Sequence, residues 1–374
     1  VEQLTAEKKE RMISLDVFRG MTIAGMIIVN SPGNSSYVYP QLAHADWNGC
    51  TFADFIFPFF LFIVGVAVTL SLTKRKESGD NKSKLLFQVF RRSLIIYLLG
   101  MSLGVFPELN FANITFTGVL KRIAIVYFFT ALIFLYSSIR IQTIITASLL
   151  IIYWFLLTFV PVPGIGSPNL GKETNLVAWL DNLLLKGYLS NGTWDSLGVL
   201  STVPAIANAL IGVLTGHLLL SDKDQITKTV YLFVAGNILL LSGYVWDFWF
   251  PINKNLWSSS FVLFTCGFAL NLLALCYWTI DIKGFKWWTK PFLVFGMNAI
   301  TVYYLAVLAG RYMKYIKVSD SGGSLVNLKV FIYNNFFLPL FSPVNASLVY
   351  SLVYTMMWLG FMWILYSRKI FIKV

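Results

Sequence analysis

Ten stretches of this 374-residue chain are apolar, most for about 20 residues at a time, the length an α-helix needs to cross the hydrocarbon core of a bilayer. They fall at 17–30, 52–73, 85–105, 117–136, 141–161, 200–220, 227–246, 257–280, 291–310 and 344–366. Only 12% of the residues are charged and 57% are hydrophobic, whereas a soluble domain carries roughly 25% charged residues. The expected fold class is therefore all-α: a polytopic transmembrane helical bundle of about ten spans, forming a single transmembrane domain over 1–374. The net charge of +12 shows no basic patch interleaved with polar surface, so it reads as topology and lipid contact and not as nucleic-acid binding. Cys50, Cys266 and Cys276 are scattered, with no metal-ligand spacing, and no metal is expected.

Charge sets the expected orientation. With ten spans and both termini on one side, that side holds 20 of the 29 Lys and Arg residues, including the loop "KRKESGDNKSK" and the tail "SRKIFIKV". The positive-inside bias makes it cytoplasmic. The charged segment 1–16 then reads as a cytoplasmic N-terminal segment and not a signal peptide. An eleventh span at 326–341 would carry the basic tail outside, so that segment is expected as an interfacial helix on the outer side. The long stretch 162–199 is expected as an ordered extracytoplasmic cap or substrate-access loop.

The first span runs out of apolar residues after Val29. From Arg19 to Asn30 a helix rises only about 16 Å, which would leave Asn30, Pro32 and Gly33 near mid-membrane. Backbone freed at that depth must be buried in protein or line a wet cavity. The following segment "LAHADWNG" holds His44, one of only two histidines, and is expected to dip into a cavity that Asn30 also lines. His44 can act as general base or as an acyl-holding nucleophile, or simply hydrogen-bond its own loop. His217 is expected to complement the C-terminal end of a helix.

Other polar residues near or within the apolar spans carry alternatives. Asp16 and Arg19 share a helix face, as an ion pair anchoring topology or as ligand groups. Asp54 could orient His44 or cap its own helix. Lys121 and Arg122 lie inside the fourth span, where burial costs roughly 2.5–3.5 kcal/mol each, so an anion is expected beside them; Arg122 suits a phosphate or carboxylate. Arg91 and Arg92 read as weaker phosphate ligands or as anchors. The segment "PINKNLWSSS" gathers Asn253, Lys254, Asn255 and Trp257, a set suited to a sugar, or else an N-cap with an interfacial tryptophan. Asp46, Trp47 and Asn48 beside His44 are further sugar-binding candidates. Asn298 is either interhelical glue or a substrate group.

The blocks "SLDVFRGMTIAGMIIVNSPG", "LAHADWNGCTFADFIFPFFLFIVG", "GVLKRIAIVYF", "PINKNLWSSSFV", "FGMNAITVYY" and "SRKIFIKV" together resemble, in order, the heparan-alpha-glucosaminide N-acetyltransferase family and its bacterial homologues associated with N-acetylglucosamine use. The resemblance runs from about residue 11 to the end, and the pairing of "HADWNG" with "PINKNLW" is its most specific part. It implies acetyl transfer from cytoplasmic acetyl-CoA, a co-substrate, to the amine of a glucosamine-type sugar or glycan on the far side of the membrane. It implies His44 and Asn30 as active-site residues, and it matches Arg122 to a family arginine, with Lys121 in place of Gln. Arg92, Arg122, Lys121 and Arg19 become candidates for the CoA phosphates. The lysosomal enzyme has an additional leading span, and without it ten remain. The implied setting is the bacterial inner membrane, in contact with lipid, with a homodimer permitted. The loop 162–199 departs from the lysosomal enzyme, which leaves the acceptor open. Broken helices and midplane charges also suit an amino-sugar or proton-coupled transporter, and a membrane O-acyltransferase shares a single histidine.

Overall fold

The computed structural model describes residues 12–111, 114–320 and 322–372. The basic residues Lys8, Lys9 and Arg11 of the N-terminal segment, and Lys373 of the tail, lie outside the described residues.

Backbone groups in lipid must be satisfied within their own segment, so long apolar runs become helices. Among the described residues, nine helices are long and apolar enough to span. They are α1 (Ile13–Asn30), α2 (Phe52–Glu77), α3 (Lys82–Val105), α4 (Val119–Tyr136), α5 (Ile139–Phe159), α7 (Thr202–Leu220), α8 (Gln225–Trp246), α9 (Ser259–Cys276, running on as a π-helical turn to Ile282) and α13 (Pro343–Ser367). α10 (Lys290–Met297) and α11 (Ala299–Tyr315) pass the same test only together; they meet at Asn298 with a bend of 83°, as a broken tenth span or a re-entrant loop. The count of about ten is thus borne out. The loop 162–199 is ordered around α6 (Leu176–Leu185). The segment 326–341 holds no span: a hairpin of β1 (Lys317–Ser319) and β2 (Leu325–Asn327) leads into the short α12 (Leu328–Ile332) and a π-helical turn.

The first span differs from expectation. α1 begins at Ile13, before the charged pair, and its 18 residues rise about 27 Å. Asp16 is buried and ion-paired to Arg19 at 2.9 Å, so Arg19 does not mark the helix boundary. The helix thus extends six residues before Arg19, and Asn30 is its exposed last residue.

Both ends of the described chain meet at one end of the bundle. The backbone N–H groups of Ile13 and Ser14 donate to the Asp281 carboxylate at the close of α9. Asn298 holds the C-terminal tail, accepting from Ile372 N at 2.9 Å and donating to the Ile370 carbonyl at 3.2 Å.

Lipid tails supply no hydrophobic drive between helices, so close packing through small residues holds such a bundle together. α2 and α7 cross backbone to backbone, with Gly65 against the Ala209 carbonyl and Gly212 against that of Phe62. Gly20 on α1 meets Phe292, and Gly296 of α10 meets Asp16. α8 instead turns Ile226, Val230, Val234, Ile238, Leu241 and Val245 outward at helical spacing, an apolar face fit for lipid.

A Cβ at Gly65 would sit 1.8 Å from the Ala209 oxygen. Gly65→Leu is expected to cost more than the about 1–3 kcal/mol of ordinary overpacking. Thermal unfolding in detergent checks this, with Gly360→Leu, where a Cβ meets nothing within 4 Å, as the tolerated control.

Candidate active site

α2 starts beside the "LAHADWNG" loop with Thr51 as N-cap and Asp54 at its third position. The fully buried Asp54 carboxylate receives five donors. Oδ2 accepts from the backbone N–H groups of Thr51 and Ala45 and from Thr51 Oγ1, each at 3.0 Å. Oδ1 takes His44 Nδ1 at 2.8 Å and Lys254 Nζ at 3.1 Å. Asp54 therefore caps its helix and orients His44 at once; the two alternatives read from the sequence are one arrangement. A carboxylate only accepts, so Nδ1 carries a hydrogen, and the Nε2 lone pair faces the Lys254 ammonium, which only donates. The His44 side chain is 48% exposed. Lys254 Nζ lies 2.8 Å from Nδ1 and 3.2 Å from Nε2, and burial pushes this ammonium down while Asp54 pulls it up. Burial, then Asp54, drive the nearby Cys50 thiol well above its usual range, which leaves it a poor nucleophile.

Two loops carry this cluster and are tied together. Gly49 N donates to the Ile252 carbonyl at 2.7 Å, and Asn253 Nδ2 to Asn48 Oδ1 at 3.1 Å. Trp47 Nε1 reaches the Leu170 carbonyl and its ring stands edge-on to Trp194, while Asp46 pairs with Lys172, so the cap 162–199 rests on the His44 loop. Below it, Pro58 removes the N–H that the Asp54 carbonyl would accept, and Asn208 Nδ2 donates to the Pro58 carbonyl at 3.1 Å.

Several candidates are placed elsewhere. Trp257 is fully buried between Phe57 and Phe261, so its ring cannot stack on a sugar. Asn253 is also buried and spends its amide on the loop, its Oδ1 accepting from Leu256 N. Asn255 is half-buried next to Lys254, and Asp46 and Asn48 are exposed beside His44. Asn298 lies at the opposite end, bound to the tail, which removes it from a site shared with His44. His217 hydrogen-bonds Gln142 and stacks on Phe134 in the helix packing.

Arg122 and Lys121 do not line the arginine-rich cavity described below. Arg122 Nη2 donates to the Gly198 carbonyl and to Ser201 Oγ, and its guanidinium lies 5.0 Å from the Trp257 ring centroid. Lys121 Nζ is held by the Thr115 carbonyl and hydroxyl and by the Thr117 carbonyl. Fixed oxygens and an aromatic face make the direct contacts, and the carboxylates expected from sequence act at longer range, Asp195 on both cations and Asp181 on Arg122. Both residues brace the cap, where Asp195 accepts from Thr117 and Ser190, and Asp181 from Val199 N.

A cavity of about 670 Å³ opens where the ends of the described chain meet. Arg19, Arg75, Arg91, Arg92, Gln88 and Tyr127 line it. Asp16 holds Arg19, Arg92 lies over the Tyr127 ring at 5.2 Å, and the tail residues Phe371 and Ile372 form part of its wall. It follows α2 from Arg75 up to Phe60, a rise of about 22 Å, and ends about two turns short of Asp54. Arg75 and Gln88 are members that sequence reasoning missed; in the linear chain Arg75 is one more charge in a basic loop. Asn30 lines a separate cavity of about 220 Å³ with Tyr303, Arg311, Lys314, Lys329 and Tyr350. His44 does not line it, so the shared cavity expected for Asn30 and His44 is not what this wall describes.

Residues 11–244 match the family model described as heparan-alpha-glucosaminide N-acetyltransferase, catalytic. The chain belongs to this family. The matched segment holds Asn30, His44, Asp54, Arg92 and Arg122. Heparan-alpha-glucosaminide N-acetyltransferases of Mus musculus and Homo sapiens are each 29% identical to it, over 97% of this chain. The chain spans about 60% of the length of these curated relatives.

Removing one partner of a buried ion pair costs about 3–5 kcal/mol. Asp54→Ala is expected to fall in that range by thermal unfolding, and the double variant with Lys254→Met to recover part of the loss, because the stranded cation is gone. Burial raises the Asp181 carboxyl from 3.8 to about 6. The folded state then binds this proton more tightly than the unfolded chain, so stability falls as pH rises from about 4 to 6. Asp181→Asn is expected to flatten that slope in melting curves recorded across the window.

Proposed function

We propose that the chain is a multi-pass N-acetyltransferase that moves acetyl from cytoplasmic acetyl-CoA to the amine of a glucosamine-type sugar on the extracytoplasmic side. The observation that carries this reading is α2, a single helix with the Asp54–His44 pair at one end and the arginine-lined cavity along the rest. Family membership supplies the chemistry, and the excess of basic residues at the cavity end makes that end cytoplasmic. The bacterial inner membrane is the setting that fits a chain of this organisation.

Arg92, Arg91 and Arg19 suit the phosphates of CoA, since guanidinium groups pair with phosphate oxygens through two parallel N–H donors. The apolar upper walls, Phe60, Val64 and Ile96, fit the less polar arm that leads to the thioester. Asp54 fixes the His44 ring with Nδ1 protonated, and once the Lys254 ammonium beside Nε2 moves aside for the acceptor, Nε2 takes a proton from the sugar ammonium. The freed nitrogen lone pair attacks the thioester carbonyl carbon, the nitrogen sheds its second surplus proton to water, and the Asn30 amide donates to the oxygen as it gains charge. Collapse of the tetrahedral centre breaks the C–S bond, and the departing sulfur takes the proton from His44. The step needs the thioester to pass from the level of Phe60, where the cavity stops, by Pro58 to the head of α2.

His44→Ala is expected to lower acetyl transfer by about 10²–10⁴-fold while acetyl-CoA binding persists. Arg92→Ala is expected to raise KM for acetyl-CoA roughly tenfold, the order of one charge-assisted bond, with little change for the acceptor. Steady-state assays in detergent or nanodiscs read both. Sugar flux into proteoliposomes without CoA, and no acetyl transfer, would replace this reading with the transporter.

A further inference from the structure

Lys254 places a primary ammonium at the atom that is to meet a primary ammonium. Its Nζ stands 3.2 Å from His44 Nε2, 2.8 Å from Nδ1 and 3.1 Å from Asp54 Oδ1. The His44 side chain is half open to solvent, whereas Asp54 is fully buried and Lys254 nearly so. An amine arriving from outside therefore finds the imidazole reachable, but the space beside both ring nitrogens is already filled by a cation.

Charge makes the two occupants exclusive. Among the described residues, Asp54 is the one carboxylate within ion-pair distance of Lys254. A single buried negative charge compensates one ammonium, and a second ammonium at the same spot is repelled. An amino sugar carries the same kind of group as the lysine tip, a cation with three N–H donors and no acceptor. Exchanging one for the other leaves the charge of the site unchanged, and the incoming group inherits the contacts to Asp54 Oδ1 and His44 Nε2.

The partners differ in what can move. The ring is held by Asp54. The backbone of Lys254 is also fixed: its carbonyl accepts from Trp257 N at 3.1 Å, and the neighbouring Asn253 is tied to Asn48 and to Ser258 Oγ. The mobile part is the four-carbon stem of Lys254, which carries its charge on a run of rotatable bonds.

We propose that Lys254 is a built-in stand-in for the acceptor's ammonium: it covers His44 Nε2 until an amino sugar displaces it, and so keeps the base from turning water against the thioester. The proposal rests on the acetyltransferase reading and adds a safeguard to that site. With the lysine cation gone and no acceptor present, a water molecule loses a proton to Nε2 as its oxygen bonds to the acetyl carbon. The C–S bond then breaks, the sulfur takes that proton from His44, and acetic acid and free CoA leave. The Lys254 ammonium makes turnover wait for the acceptor.

The test uses the full chain in phosphatidylcholine nanodiscs and three variants. Lys254→Met removes the charge, Lys254→Gln removes it but keeps N–H donors for Asp54, and Lys254→Arg retains it. With acetyl-CoA and no acceptor, release of free CoA is expected to rise roughly tenfold in Lys254→Met and Lys254→Gln, the order of one charge-assisted hydrogen bond, and to stay low in Lys254→Arg. Calorimetry without acetyl-CoA then compares methyl glucosaminide with methyl N-acetylglucosaminide, which has no ammonium. The two uncharged variants are expected to bind the amino sugar roughly tenfold more tightly than the parent chain does, and the neutral sugar equally. Retained affinity for acetyl-CoA shows that each variant is folded. Unchanged CoA release in both uncharged variants, or amino-sugar binding that weakens in them while the neutral sugar binds as before, overturns the proposal. Stable acetylation of Lys254 by acetyl-CoA, read by mass spectrometry, makes it an acceptor in its own right and overturns it as well. Tighter amino-sugar binding in the uncharged variants, with no acetyl transfer by the parent chain, upholds the ammonium exchange and removes the acetyltransferase reading. Acetyl transfer by the parent chain with neither change in the variants leaves that reading and overturns the stand-in.

Discussion

Asp54 brings a negative charge into a place without water, and the surrounding chain is arranged to compensate it with five donors. That requirement ties together three parts of the molecule that are far apart in sequence. The head of α2 supplies the carboxylate, the loop before it supplies His44 and two backbone N–H groups, and the connection from α8 to α9 supplies Lys254. A buried ion pair of this kind adds little net stability when complete, yet breaking it is costly. Its consequence is positional: the imidazole stands in one orientation at the mouth of the bundle, Nδ1 on Asp54 and Nε2 beside Lys254 Nζ.

The bundle separates its positive charges into two environments. At the end where the termini meet, guanidinium groups from α1, α2 and α3 converge on a deep cavity, three of the four steadied by a neighbour: Arg19 by Asp16, Arg75 by Asp80 and Gln88, and Arg92 by the Tyr127 ring. At the opposite end, the cations of α11 and α12 gather without acidic partners among the described residues. Lys121 and Arg122 belong to neither group. Carbonyls, hydroxyls and an indole face hold them, and they support the cap over His44. The same residue type thus does three jobs, and the difference lies in what surrounds it.

The spans were legible because hydrocarbon leaves the backbone no alternative to a helix. Ten apolar runs gave nine helices of membrane-spanning length among the described residues and one bent pair that meets at Asn298. The pairing of "HADWNG" with "PINKNLW" was legible as a motif, and the two loops do lie against each other through Gly49 with Ile252 and Asn48 with Asn253. The start of α1 was misread because Asp16 and Arg19 look like a boundary in a linear chain; an ion pair made inside the helix lets both stay within it. Trp257 and Asn253 looked like sugar ligands because their residue types suit sugars, but type says nothing about exposure, and the fold buries both.

The sequence by itself determined the fold class, the family and the approximate number of membrane-length helices, because each rests on local hydropathy or on residues adjacent in the chain. Tertiary structure alone decided which charges share a cavity, which polar groups are spent on bracing, and which remain open to a ligand. Those outcomes depend on distances between helices that cross in three dimensions, and a charge that reads as a topology anchor along the chain becomes a ligand or a brace only when another helix brings its partner, or none, within a few ångströms.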